Sequence, residues 1–192
     1  MSTSFDPAVA PTSRSWEPLA EQALLEACQF GDIAALQRLL SEGAQADAID
    51  AQGFRLLHVA ATYGHVAVID ALLTAGASID ARSVTPGCYD GIRPLHAAVS
   101  NRHSEAVDCL ISRGANLEAT DDAGFASLHL AILLGARGIV KSLLRAGANP
   151  HREVADASPL QLARRYGDPV LVGLLRQCTH VGWLPPARTT VG

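Results

Sequence analysis

The stretch GFRLLHVAATYGHVAVIDALLTAGASIDA, residues 53–81, decides the fold. Leu57, Ala60 and Ala61 recur at helical spacing before Gly64, and Val68, Ile69, Leu72 and Leu73 do so again before Gly76. This spacing predicts two short amphipathic helices, each with one apolar stripe. The glycines mark where the helices stop, since a helix end in the left-handed conformation suits a residue without a Cβ. A helix–turn–helix unit of this size cannot bury both stripes alone, so it predicts neighbours of the same kind.

Those neighbours are present. Gly-Ala recurs at Gly43, Gly76, Gly114 and Gly147, in steps of 33, 38 and 33 residues. Leu-His recurs at Leu57-His58, Leu95-His96 and Leu128-His129, in steps of 38 and 33, so the irregular step falls in the same place both times. The unit boundaries that follow are 21–49, 50–82, 88–120, 121–152 and 153–178, with an insertion at 83–87. The first unit lacks Leu-His and the last lacks Gly-Ala, and both read as caps, whose outer surfaces must be polar. A flexible leader is expected over 1–20 and a tail over 179–192. Gly64, Gly135 and Gly167 close the first helices of their units, whereas the third unit has Arg102 there. A residue with a side chain in that conformation costs on the order of 1 kcal/mol.

With Gly53, Leu57-His58, Ala60-Ala61, Gly64-His65, Leu72-Leu73 and Gly76-Ala77 in this order, the unit resembles the ankyrin repeat, and the resemblance covers residues 24–175. Its Thr-Pro pair is replaced by Arg55-Leu56, Arg93-Pro94 and Ala126-Ser127 in the three central units. The resemblance implies an all-α solenoid of stacked helix–turn–helix units with β-hairpin-like finger turns. It also implies a concave face, made by the fingers and the first helices, that binds other proteins.

Composition narrows the function. The formal net charge is -4 and the pI near 5.9, which argues against gripping a phosphate backbone and so against a nucleic-acid partner. No apolar run approaches the length that spans a bilayer, and the N-terminus lacks a basic head followed by an apolar core, so no membrane partner or secretory export is expected. Cys28, Cys88, Cys109 and Cys178 are scattered without a CxxC pair, which points to reduced thiols in a cytoplasmic setting and to no zinc site. Of the 15 basic residues only Lys141 is a lysine. That bias and the compact size suggest an alternative, a bacterial regulator acting as a host-directed effector or as an inhibitor of a toxin or enzyme.

The seven histidines invite a hypothesis of metal binding or acid–base chemistry. Their periodicity argues for structure instead. His58, His96 and His129 share one register position, and the resemblance gives that position a hydrogen bond to loop backbone; His65 and His103 share a second, at the start of the second helix. His151 and His180 remain unassigned. No HExxH, GxSxG or phosphate-binding glycine loop is present, and Asp121-Asp122 reads as a solvated turn. Cys88 lies in the irregular loop, but a reactive thiol needs nearby cations to lower its pKa. Catalysis is therefore not expected, nor is any cofactor or metal, and an unrecognised enzyme stands only as a third alternative.

The resemblance places the partner-binding residues on the fingers and on the exposed ends of the first helices. On the fingers these are Gln52, Phe54, Tyr89, Asp90, Ile92, Asp122 and Phe125. On the helices they are Phe30, Tyr63, Asn101, Arg102, Leu133, Leu134, Arg165 and Tyr166. These positions are rich in large apolar and aromatic side chains for a chain with 5% aromatics, and aromatic anchors typify interface hot spots. Two competing readings are that Phe54, Ile92 and Phe125 pack along the stack, and that Trp16 or Trp183 folds back onto the groove. The insertion, with its Pro86-Gly87 turn, extends one finger and enlarges the contact surface, or is neutral drift in a permissive loop. The unbound chain is expected to be a monomer.

Overall fold

The computed structural model describes residues 17–84, 91–154 and 156–180. These residues form ten α-helices paired into five units: α1 Glu17–Phe30 with α2 Ile33–Ser41, α3 Leu56–Tyr63 with α4 Val66–Thr74, and α5 Pro94–Ser100 with α6 Ser104–Ser112. The last two pairs are α7 Ser127–Leu133 with α8 Arg137–Arg145, and α9 Pro159–Arg165 with α10 Pro169–His180. First helices pack on first helices, from α1 against α3 through to α7 against α9, and second helices form a parallel layer behind them. Between the layers runs one continuous core in which Leu57, Ile69, Leu110, Ile132, Leu143 and Leu175 are each buried. Alanines at 60, 61, 98, 106 and 131 are also fully buried, and their small size lets neighbouring helices approach closely.

The Gly-Ala signature is a helix stop. Gly43, Gly76, Gly114 and Gly147 have φ between 90° and 101°, and the next residue's N–H reaches back to the last turn, as from Ala77 to Leu72 O at 2.9 Å and from Ala115 to Leu110 O at 3.0 Å. This is the Schellman arrangement, which satisfies carbonyls the helix leaves unpaired. Two of the fingers then turn on an aspartate. Asp50 Oδ1 accepts from the N–H groups of Gln52 and Phe54, and Asp121 Oδ1 accepts from that of Phe125. Isolated antiparallel bridges Ile49–Arg55, Thr120–Ala126 and Val154–Ala157 close three fingers, and among the described residues no bridge extends into a sheet.

Two helices reach into the segments expected as leader and tail. Helix α1 begins at Glu17, inside the 1–20 segment, because Pro18 is tolerated in a first turn where its missing N–H has no helical partner anyway. Helix α10 runs to His180, two residues beyond the boundary at 178. Trp16, Trp183 and the tip of the insertion, including Cys88, Tyr89 and Asp90, lie outside the described residues.

Candidate functional site: the groove between fingers and first helices

The periodic histidines join each unit to the next. In His58, His96 and His129 the ring Nδ1 accepts from the backbone N–H three residues earlier, each at 3.2 Å, which leaves Nε2–H to donate across the unit boundary. His96 donates to Ala119 O at 3.1 Å and His129 to Arg152 O at 2.8 Å. His58 donates instead to Ile92 O at 2.9 Å, a carbonyl on the far side of the insertion. Burial lowers the His58 pKa and takes that of His96 down to about 4, so both rings are neutral near pH 7. The fifth unit has Gln161 at this position, and its Oε1 accepts from Ser158 N–H while Ser158 Oγ accepts from Gln161 N–H, a reciprocal cap.

The second histidine series reaches backwards. His65 Nε2 donates to Gln29 O and His103 Nε2 to Thr62 O, both at 2.9 Å. The rings lie on Gly31 and Gly64, where a Cβ would come within 2.6 Å of them. Arg102 replaces that glycine in the third unit and takes φ 59° with its side chain. The space is available because the following unit has Ala136 in place of a histidine. The boundary is bridged from the other side, by the Arg102 guanidinium donating to Leu134 O. At the last boundary Arg137 Nε donates to Asp168 Oδ2 at 2.8 Å, and this bond, with the N–H groups of Leu171 and Val170, holds the Asp168 carboxyl below its ordinary pKa.

A carboxylate series was not recognised in the sequence. Asp47, Asp80 and Glu118, each four residues after a Gly-Ala glycine, accept from the N–H of Ser78, Asn116 and Asn149 in the next unit, at 2.8 to 3.1 Å. The spacing from the glycines was available as a signal, but the acceptors are Asp in two units and Glu in the third, and the bonded amide lies 31 to 36 residues away.

These devices leave a groove between the fingers and the first helices. Over units one and two Leu25, Gln29, Val59, Thr62 and Tyr63 line it from the helices, and Gln52 and Phe54 from the finger. The residue just before the first-helix stop forms a ridge along it: Phe30 is 73% exposed, Tyr63 46% and Tyr166 60%, with Asn101 exposed and Leu134 half-buried between them. Gln29 Nε2 donates to Tyr63 Oη at 3.1 Å, and the Tyr63 ring stacks on His65. Leu133 is half-buried and Arg165 exposed in the position one residue earlier.

Several predicted contact residues have work inside the stack. Phe54 and Phe125 are half-buried, and their rings lie 5.9 and 6.4 Å from those of His58 and His129 in their own units, not against one another. Ile92 is also half-buried and lends its carbonyl to His58. Asp122 is ion-paired with Arg82 across the base of the insertion, and the pair leaves no room for a side chain at Gly91. The insertion is anchored where it begins, since Ser83 N–H donates to Ile92 O at 2.8 Å and Val84 N–H to Gly53 O at 2.9 Å, on the neighbouring finger.

Among the described residues no group of His, Cys, Asp and Glu could hold a metal ion, and no helix is long and apolar enough to cross a membrane. Burial pushes the Cys28 thiol up to about 12 and raises those of Cys109 and Cys178, the opposite of what a nucleophile requires. No curated protein matches the chain. The model of the family of ankyrin repeats, in three copies, matches residues 11–83 and 80–154. The repeat geometry and a match over more than half of its length show that the chain belongs to the ankyrin-repeat family.

Proposed function

We propose that this protein is a non-enzymatic module that holds a protein partner in the groove, with Phe30, Tyr63 and Tyr166 as anchors and the finger residues Gln52 and Phe54 along the opposite rim. Ankyrin repeats are generally protein–protein interaction modules. The observation that carries the assignment to this face is the exposure of three aromatic side chains at one register position, in a chain that has nine Phe, Tyr and Trp in all. Their shared register position supports a common edge of the stack, and aromatic side chains there supply contact area that solvent alone does not favour.

Photo-crosslinking tests it. A benzophenone side chain placed at 30, 63 or 166, with 74 and 112 on the second-helix layer as controls, is irradiated in native lysate and the adducts identified. Adducts to one partner from the groove positions and none from the controls support the reading. Adducts confined to the controls refute it.

A further inference from the structure

Charge is unevenly spread along the stack. Residues 17–84, the first two units, carry nine carboxylates against three arginines, whereas residues 121–180, the last two, carry five against seven basic side chains. The three arginines of the first two units are committed or remote from the groove: Arg55 donates to Asp47 O at 2.9 Å, Arg82 pairs with Asp122, and Arg38 stands in the last turn of α2 in the other layer. Among the described residues no Lys or Arg lines the groove between Leu25 and Tyr63, and Arg55, which shares the adjoining cavity with Glu21, is held by Asp47. Its carboxylates are Glu21, on α1, and Asp50, at the finger turn, with Glu26 exposed one helical turn before Phe30. Between them lie the apolar surfaces of Leu25, Val59 and Tyr63. An apolar floor with carboxylates on both walls and no cation attracts one chemistry, a chain that alternates cationic and apolar side chains.

The geometry points to units one and two as the docking site for a basic, apolar-anchored peptide segment of the partner, with Glu21, Glu26 and Asp50 selecting its Arg or Lys residues and Leu25, Val59 and Tyr63 receiving its apolar ones. This rests on the reading of the groove as a protein-binding face and adds the chemistry of what it holds. The far end differs in sign: Arg165 stands in the register position that Gln29 and Thr62 occupy in the first two units, next to the exposed Arg164.

The test uses the full chain and three fluorescein-labelled peptides of equal length, one patterned in Arg and Leu, one with Glu for each Arg, and one with Ser for each Leu, read by anisotropy. The expected result is saturable binding of the Arg–Leu peptide, with the other two weaker by about tenfold or more. Glu21→Gln combined with Glu26→Gln weakens it by about tenfold, and so does raising the salt, because the charges are exposed. Asp50→Asn, which keeps the Oδ1 acceptor of the finger turn, acts in the same direction. Lys141→Gln with Arg145→Gln, on α8 in the second-helix layer, leaves the affinity within about twofold. Circular dichroism of each variant verifies the fold. Equal or tighter binding of the Glu–Leu peptide, no saturable binding of the Arg–Leu peptide, or insensitivity to the glutamate changes overturns the inference. A natural partner that crosslinks at 30 and 63 through an acidic segment overturns it while leaving the binding function intact, whereas adducts at 74 and 112 alone overturn both.

Discussion

Gly64→Ala measures how far the stack depends on the histidine that reaches back across a unit boundary. Gly64 has φ 75°, and a Cβ there would lie 2.6 Å from the His103 ring, inside any real contact. The left-handed backbone costs a side chain on the order of 1 kcal/mol. Displacing the ring adds its hydrogen bond to Thr62 O, about 1 kcal/mol net, and the packing it loses, so the total is roughly 2–4 kcal/mol. Gly135→Ala is the control, because φ is 63° there and nothing lies within 4 Å, leaving only the backbone cost of about 1 kcal/mol. His103→Ala alone costs about 1 kcal/mol. Once the ring is gone the new methyl has room, so the double variant is less destabilised than the sum of its singles by about 1–3 kcal/mol. Urea denaturation followed by circular dichroism reads all four. Additivity within about 0.5 kcal/mol, or equal costs at Gly64 and Gly135, refutes the argument. The Arg102 and Ala136 pair is the same double change already made at the next boundary.

Three further outcomes follow from buried groups. His96 is neutral in the fold with a pKa of about 4 against an ordinary 6.5, so between those values the unfolded chain binds the extra proton. Its contribution to stability is intact above pH 6.5 and declines as the pH falls toward 4, by roughly 3 kcal/mol in all, with His58 acting in the same direction. Urea midpoints at pH 7 and pH 4.5 should differ accordingly, and His96→Gln should flatten that dependence. Phe125→Ala removes a half-buried ring seated on His129 and should lower stability by about 1–3 kcal/mol, while Phe30→Ala, at 73% exposure, should change it by less than about 0.5 kcal/mol. Cys28 is fully buried with its thiol pushed up to about 12, so iodoacetamide should leave it unmodified in the native chain and label it once urea unfolds the stack. Peptide mapping by mass spectrometry reads the difference, and native labelling of Cys28 as fast as of the half-exposed Cys178 would contradict the burial.

The fold was legible because it repeats. Gly76-Ala77, Leu57-His58 and their counterparts encode local geometry, a left-handed stop and a helix start, that depends on neighbours a few residues away and so shows in one dimension. The structural role of the five periodic histidines was legible for the same reason. The leader boundary was not: α1 starts at Glu17, a position with no repeated counterpart to align it.

The candidate site divides along the same line. Its register was determined by the sequence, which put Phe30, Tyr63, Asn101, Leu134 and Tyr166 at equivalent positions. Which of these would be exposed, and which finger residues would be used internally, was decided only by the three-dimensional packing. Phe54 and Phe125 occupy finger positions as Gln52 does, yet their rings turn onto His58 and His129, and Asp122 is drawn to Arg82 some 40 residues away. Exposure is a property of the space left after neighbouring units have stacked, and a partner such as Arg82 lies more than a full repeat from Asp122 in the chain, so no local pattern announces it.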